Sequence, residues 1–109
     1  MASISNIVVD QGTTFSLELN LTNDDASAKD LTNYTVTSQI RKSYDAATFT
    51  NFTTAKVNLT GKVTISLTAV ETAALKSGRY VYDIEIASSS ETLRVLEGIV
   101  TVTPNVTRA

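Results

Sequence analysis

The chain contains no cysteine, so neither a disulfide framework nor a thiolate zinc site can be built. Extracellular domains this small are usually stapled by such links, which favours a reducing compartment during assembly. Histidine is absent as well. That removes the usual neutral-pH general base and the commonest transition-metal ligand. Four glycines leave no material for a phosphate-cradling loop, and no serine has a histidine to activate it. No basic run is denser than Arg41-Lys42, and the net charge is −2. Nucleic acid needs clustered cations to displace its counterions, so it is not an expected partner. No apolar run is long enough to span a membrane. The start, Met1-Ala2-Ser3-Ile4-Ser5-Asn6, lacks the basic and apolar regions of a signal peptide, so a soluble, cytosolically made protein without membrane partners is expected.

What is present is typical of a small globular unit. At 109 residues the chain reads as one domain, 1–109, since either half would be too small to bury a core. Hydrophobic residues make up 42% and charged residues 18%, and mean hydropathy is +0.04. A disordered acidic tail would not have this balance. Threonine and serine supply much of the polar surface, and threonine's branched β-carbon suits strands.

Alternation along the chain supplies the elements. Phe15, Leu17, Leu19 and Leu21 alternate with polar residues over Thr13 to Thr22, the period of a half-buried strand. A polar loop, residues 23–30, follows, and Leu31 is expected to tuck under the end of the structure. Tyr34, Val36, Ser38 and Ile40 share a face over Tyr34 to Lys42, with Ser38 breaking the apolar pattern. Between Ser43 and Asn58 the pattern weakens to one or two edge strands, with Phe49, Phe52 and Val57 needing burial. Val63, Ile65 and Leu67 point inward from Lys62 to Leu67. Thr68-Ala69-Val70-Glu71 reads as a capping box opening a short helix, Ala69 to Leu75, that crosses between sheets and closes near Gly78. Arg79 to Ala87 carries Tyr80, Tyr82, Ile84 and Ile86 on one face. After a hairpin loop at Ser88–Glu91, Thr92 to Thr103 returns with slipped phase, which a bulge near Glu97-Gly98 would reconcile. The fold class is an all-β, immunoglobulin-like antiparallel β-sandwich of about seven strands with one short helical turn. Its expected core includes Phe15, Leu17, Leu19, Ile65, Leu67, Tyr82, Ile84 and Val100.

Candidate chemistry is sparse. Asp24, Asp25 and Asp30 could be calcium ligands, but their spacing matches no EF-hand and turn chemistry accounts for them. Asp83 and Glu85 resemble a catalytic carboxylate pair, yet Arg94 on the neighbouring strand makes cross-strand charge pairing the simpler reading. Asn-x-Thr triplets at Asn20, Asn33, Asn51, Asn58 and Asn105 are chance products of an Asn- and Thr-rich chain. No catalytic, cofactor-binding or metal-ligating residue is assigned, and no enzyme is expected. The N-terminal stretch Ile4-Ser5-Asn6-Ile7-Val8-Val9 is either the first strand or an arm that pairs with a neighbouring subunit. The tail Asn105–Ala109 is open to the same reading. Interface candidates are therefore Ile4, Ile7, Val8, Val9, Asn105, Val106 and Arg108.

Five strings in order carry a family resemblance across nearly the whole chain. They are Gly12-Thr13-Thr14-Phe15, Asp30-Leu31-Thr32-Asn33-Tyr34, Ser38-Gln39-Ile40-Arg41-Lys42, Gly78-Arg79-Tyr80-Val81-Tyr82-Asp83-Ile84-Glu85 and Leu96-Glu97-Gly98-Ile99-Val100-Thr101-Val102. Together they resemble the N-terminal immunoglobulin-like domain of tailed-bacteriophage baseplate upper proteins, and short standalone phage virion proteins. The resemblance implies a virion structural protein, made in the host bacterial cytoplasm, that assembles by protein–protein contact and has no catalytic residues. Unlike baseplate proteins, the chain stops after the domain, with no coiled coil or receptor-binding head. That favours a capsid decoration (cement) protein binding the major capsid protein. A tail or baseplate accessory and an adhesin-like ligand-binding module are the alternatives, and a homo-oligomer is an open possibility. With no loop supplying a set of oxygens for a cation, EDTA is expected to leave the thermal midpoint unchanged. A calcium-dependent rise of several degrees would reinstate the aspartate loop.

Overall fold

A computed structural model describes residues 3–23, 25 and 27–106. Along the chain run β1 (Ser3–Ile4), β2 (Ile7–Asp10), β3 (Phe15–Asn20), β4 (Thr35–Arg41), β5 (Thr50–Asn51), β6 (Thr53–Val57) and β7 (Lys62–Leu67). Helix α1 (Ala69–Ala73) follows, then β8 (Gly78–Ala87) and β9 (Thr92–Thr103). β1 and β2 form one interrupted pass, as do β5 and β6, so among the described residues the nine strands make seven passes. The larger sheet has the order β1-β9-β8-β4-β5, with β2 also on β9; the smaller is β3-β7-β6. This is an all-β sandwich of immunoglobulin-like topology, with one departure from the expected antiparallel pattern. β1 and β2 run parallel to β9, because the first pass joins the sheet that holds the last strand.

Strict alternation makes the core. Val63, Ile65 and Leu67 from β7 meet Tyr82, Ile84 and Ile86 from β8, with Ile7, Val9, Ile40, Leu96, Val100 and Val102 in the same buried cluster. Leu31 is fully buried, as its position beneath the sandwich end required. Ser38, the polar break in β4, is buried too, and its hydroxyl donates to the Asp83 carbonyl at 2.6 Å. A buried hydroxyl with a partner costs little, so the strand keeps its phase.

Phe52 sits where the chain leaves the larger sheet for the smaller. Its amide donates to the Ser38 carbonyl at 3.0 Å, and its buried ring lies 6.1 Å from Phe15 and 6.2 Å from Tyr82. Phe49 and Val57, expected to be buried, are instead half-exposed. Phe49 lies in the loop before β5 beneath the Arg41 guanidinium, and Val57 ends an edge strand with nothing beyond it. Phe15, Leu17 and Leu19 are also only partly buried. Their strand is the edge of the smaller sheet, so one flank stays open.

The helix begins as its capping box dictates: the Glu71 amide donates to Thr68 Oγ1 at 3.2 Å, and the Thr68 amide to Glu71 Oε1 at 2.8 Å. It ends at Ala73, short of Leu75. Buried Thr72 ties it to the β2–β3 turn, donating to the Thr13 carbonyl at 2.7 Å and accepting the Gly12 amide at 3.0 Å.

The phase slip in β9 is real, but its bulge lies elsewhere than expected. Ile84 pairs with Leu96 while Glu85 pairs with Arg94, leaving Val95 as the extra residue. Gly98 lies within regular pairing, opposite Tyr82. Its lack of a side chain serves a neighbouring strand, as described below.

Truncating fully buried Ile84 to alanine is expected to cost about 2–5 kcal/mol, while Leu17→Ala at the open edge should cost about half as much. Urea denaturation measures both. Equal losses would mean that β3 is covered in solution.

Candidate functional site

The outer face of the larger sheet carries exposed aliphatic side chains. The same alternation that buries Ile7, Val9, Leu96 and Val100 turns Ile4, Val8, Glu97 and Ile99 outward. Ile4 is 76% exposed, Val8 62% and Ile99 39%. Ile4 pairs in register with Glu97, Val8 with Thr101, and Ile99 with Val81. Three exposed aliphatic side chains thus lie close together along the edge formed by the first pass and β9.

The first pass is pinned by a small set of polar contacts. The Ser5 amide donates to the Glu97 carbonyl at 2.8 Å, and the Ser5 carbonyl accepts the Tyr82 hydroxyl at 2.7 Å. The Ile99 amide donates to Asn6 Oδ1 at 3.0 Å, so a side chain replaces a main-chain acceptor at the break between β1 and β2. All this happens directly over Gly98. A β-carbon there would lie 2.0 Å from the Ser5 carbonyl oxygen. Glycine is required for the backbones to approach this closely.

Beside the aliphatic patch is a polar hollow of about 160 Å³, with Gln39, Arg41, Tyr44, Asp83, Arg94 and Glu97 in its walls. Arg94 Nε lies 3.4 Å from Asp83 Oδ2, the cross-strand pairing expected from the sequence. Arg41 turns the other way: it donates to the Ala46 carbonyl and to Gln39 Oε1, and its guanidinium lies 4.6 Å from the Phe49 ring centre. Burial, followed by the charge of Glu85, pushes the Asp83 carboxyl above its ordinary value, and the Arg94 pairing does not offset this.

The expected interface residues therefore divide. Ile4 and Val8 are on the outer face. Ile7 and Val9 are core residues, buried against Val100 and Val102, and cannot meet a partner while the domain is folded. Asn105 is half-buried: its amide donates to Gln11 Oε1 at 3.4 Å, so the chain just beyond Pro104 is tied to the domain. Val106 is 98% exposed, and Arg108 lies outside the described residues. Ile99, Arg41, Tyr44 and Glu97 were not singled out from the sequence. The polar residues that share Val81's face on β8 were the available signal, but their neighbours depend on register.

The aspartate loop closes on itself. Asp25 Oδ1 accepts the Ser27 amide at 3.0 Å and also its hydroxyl, and Asp30 Oδ1 accepts the Thr32 amide at 2.9 Å and also its hydroxyl. These bonds hold both carboxyls below their ordinary range. Asp24 lies outside the described residues, among which no three acidic, cysteine or histidine side chains are grouped as metal ligands would be.

No protein-family model and no curated protein sequence matches the chain. Among solved structures the chain is similar to InlP of Listeria monocytogenes, at 14% identity and a TM-score of 0.52 over 94% of this chain and 28% of that one. It is also similar to a family 123 glycoside hydrolase from Clostridium perfringens, at 12% identity and a TM-score of 0.44 over 94% and 23%. The chain thus spans under a third of either protein, and the likeness to InlP supports the β-rich fold alone.

The raised Asp83 carboxyl has a consequence for stability. Such a group binds its proton more readily in the folded state, so acidification from neutral pH toward its unfolded value, near 3.8, adds stability through Asp83. Asp25 and Asp30 act oppositely: their contribution is present above that value and fades as pH falls through their lowered ones. Comparing wild type with Asp83→Asn cancels those two groups. The difference in urea stability should shift toward wild type between pH 7 and about pH 3.5. A shift toward the variant would mean that Arg94 dominates.

Proposed function

We propose that the chain is a non-enzymatic structural protein of a tailed-phage virion, a capsid decoration protein that binds the major capsid protein through the outer face of its larger sheet. The observation that carries this reading is the exposed aliphatic set Ile4, Val8 and Ile99 on a rigidly paired edge. Rigidity matters because a preorganised surface loses little entropy when it docks. The ordered motifs from Gly12 to Val102 supply the virion context, through their resemblance to phage baseplate and standalone virion domains. The first pass is part of the sandwich, so the docking element is its outward side chains and free edge, with the strand itself staying in place.

Quantitative mass spectrometry of purified particles tests the location: on the order of hundreds of copies fits a shell lattice, about six or twelve fits a tail or baseplate ring, and absence sinks the reading. Val8→Lys tests the surface. Val8 is largely exposed, so the variant should keep its thermal midpoint while its loading onto particles falls to a small fraction. Full loading of a folded Val8→Lys protein would remove this edge as the anchor.

A further inference from the structure

We infer that the free flank of the first pass pairs with a second copy of this chain, antiparallel and centred on Asn6, joining two larger sheets edge to edge. The inference concerns main-chain groups and stands without the virion context proposed above. Within that context, the flank serves the second copy and the outward side chains serve the shell protein. The amides of Ser5 and Gln11 donate to the Glu97 and Thr103 carbonyls of β9. Between them the register keeps one offset, from Ile4 opposite Glu97 to Ile7 opposite Val100, so no bulge intervenes. Odd-numbered residues therefore turn their N–H and C=O groups toward β9, and even-numbered ones turn theirs away. The main-chain groups of Ile4, Asn6 and Val8 thus face a flank on which no strand of the described residues lies.

What this edge matches is itself. In an antiparallel pair centred on Asn6, Ile4 opposes Val8 of the second copy, Val8 opposes its Ile4, and the two Asn6 residues meet on a twofold axis. All three flank-facing residues then exchange hydrogen bonds with a counterpart. Ile4 and Val8, both largely exposed, become two cross-strand aliphatic pairs on the outer face. Ser3 to Val9 carries no charge, so the axis brings no like charges together despite the net charge of −2. The flanking strands of the smaller sheet lack this property: β3 carries Glu18 and β6 carries Lys56, and self-pairing would double each charge. The contact involves far fewer than the roughly 20 residues a side of a standard interface, so the dimer is reversible.

The chain has no cysteine of its own, so introduced thiols report the register directly. Ile4→Cys and Val8→Cys each change an exposed side chain of the full chain. Opposed residues in a hydrogen-bonded antiparallel pair have Cα atoms about 5.5 Å apart, within disulfide reach. Like residues would be offset along the strand by roughly 14 Å, which is out of reach. Oxidising an equal mixture of the two variants should therefore give the mixed disulfide dimer at least about tenfold over either like pair, read by intact mass spectrometry. A merely statistical excess of about twofold, dominance of a like pair, or no disulfide dimer at all would overturn the inference. Sedimentation supplies the second measurement. The wild-type chain should shift toward dimer by about 1 mM, while Val8→Pro, which removes an amide facing the flank, should stay monomeric. A wild-type chain that stays monomeric throughout, or a Val8→Pro protein that associates as strongly, sinks the pairing. Should Val8→Pro not fold, the cross-linking ratio decides alone.

Discussion

The inward faces of β7 and β8, with Val63, Ile65 and Leu67 on one and Tyr82, Ile84 and Ile86 on the other, are the contact on which the remaining structure hangs. Each belongs to an inner strand of its sheet, and each registers the strands beside it. Fixing β8 fixes β4 through seven paired residues and β9 along its whole length. Fixing β9 then fixes the first pass, since β1 and β2 have no other sheet partner among the described residues. The outward positions of Ile4, Glu97 and Ile99 are thus consequences of core packing two strands away. A one-residue slip would reverse every one of them.

This dependence explains the one costly irregularity. Val95 is an extra residue in β9, and it shifts the strand's phase so that Leu96 is buried opposite Ile84 while Leu93, in register with Ile86, stays exposed. Beyond the bulge, regular alternation brings Gly98 opposite Tyr82 and under Ser5, where only a residue without a β-carbon fits. Tyr82 then serves both levels of structure. Its ring packs near Phe52 in the core, and its hydroxyl holds the Ser5 carbonyl that pins the first pass. Core and surface are coupled through one side chain.

The sheet edges are handled unequally. β5 is only two residues long, and β6 carries Lys56, whose ammonium folds over to the carbonyls of Leu31 and Tyr34 at 2.8 and 2.6 Å. Edge strands that are short or carry lysine resist unwanted pairing. From Ser3 to Val9 the first pass has no charged residue and no proline, and it adjoins the aliphatic patch.

Much of the fold was legible in the chain itself. The period-two runs at β3, β7 and β8, the capping box at Thr68 and the buried place of Leu31 all follow from local pattern, because burial of one strand face writes itself into every second residue. Cross-strand pairing of Arg94 with the acidic face of β8 was legible too, since a hairpin brings close neighbours in sequence together. Other features depended on distant residues. The bulge at Val95, the exposure of Phe49 and Val57, the open flank of Leu17 and the parallel pairing of the first pass are all set by which strands become neighbours. The hollow is of the same kind: its walls come from β4, β8, β9 and the loop after β4, joined only by register. Alternation within one strand determined which residues could be core. Pairing between strands far apart in sequence decided which surface residues meet, because side chains on a sheet find their neighbours across strands as well as along them.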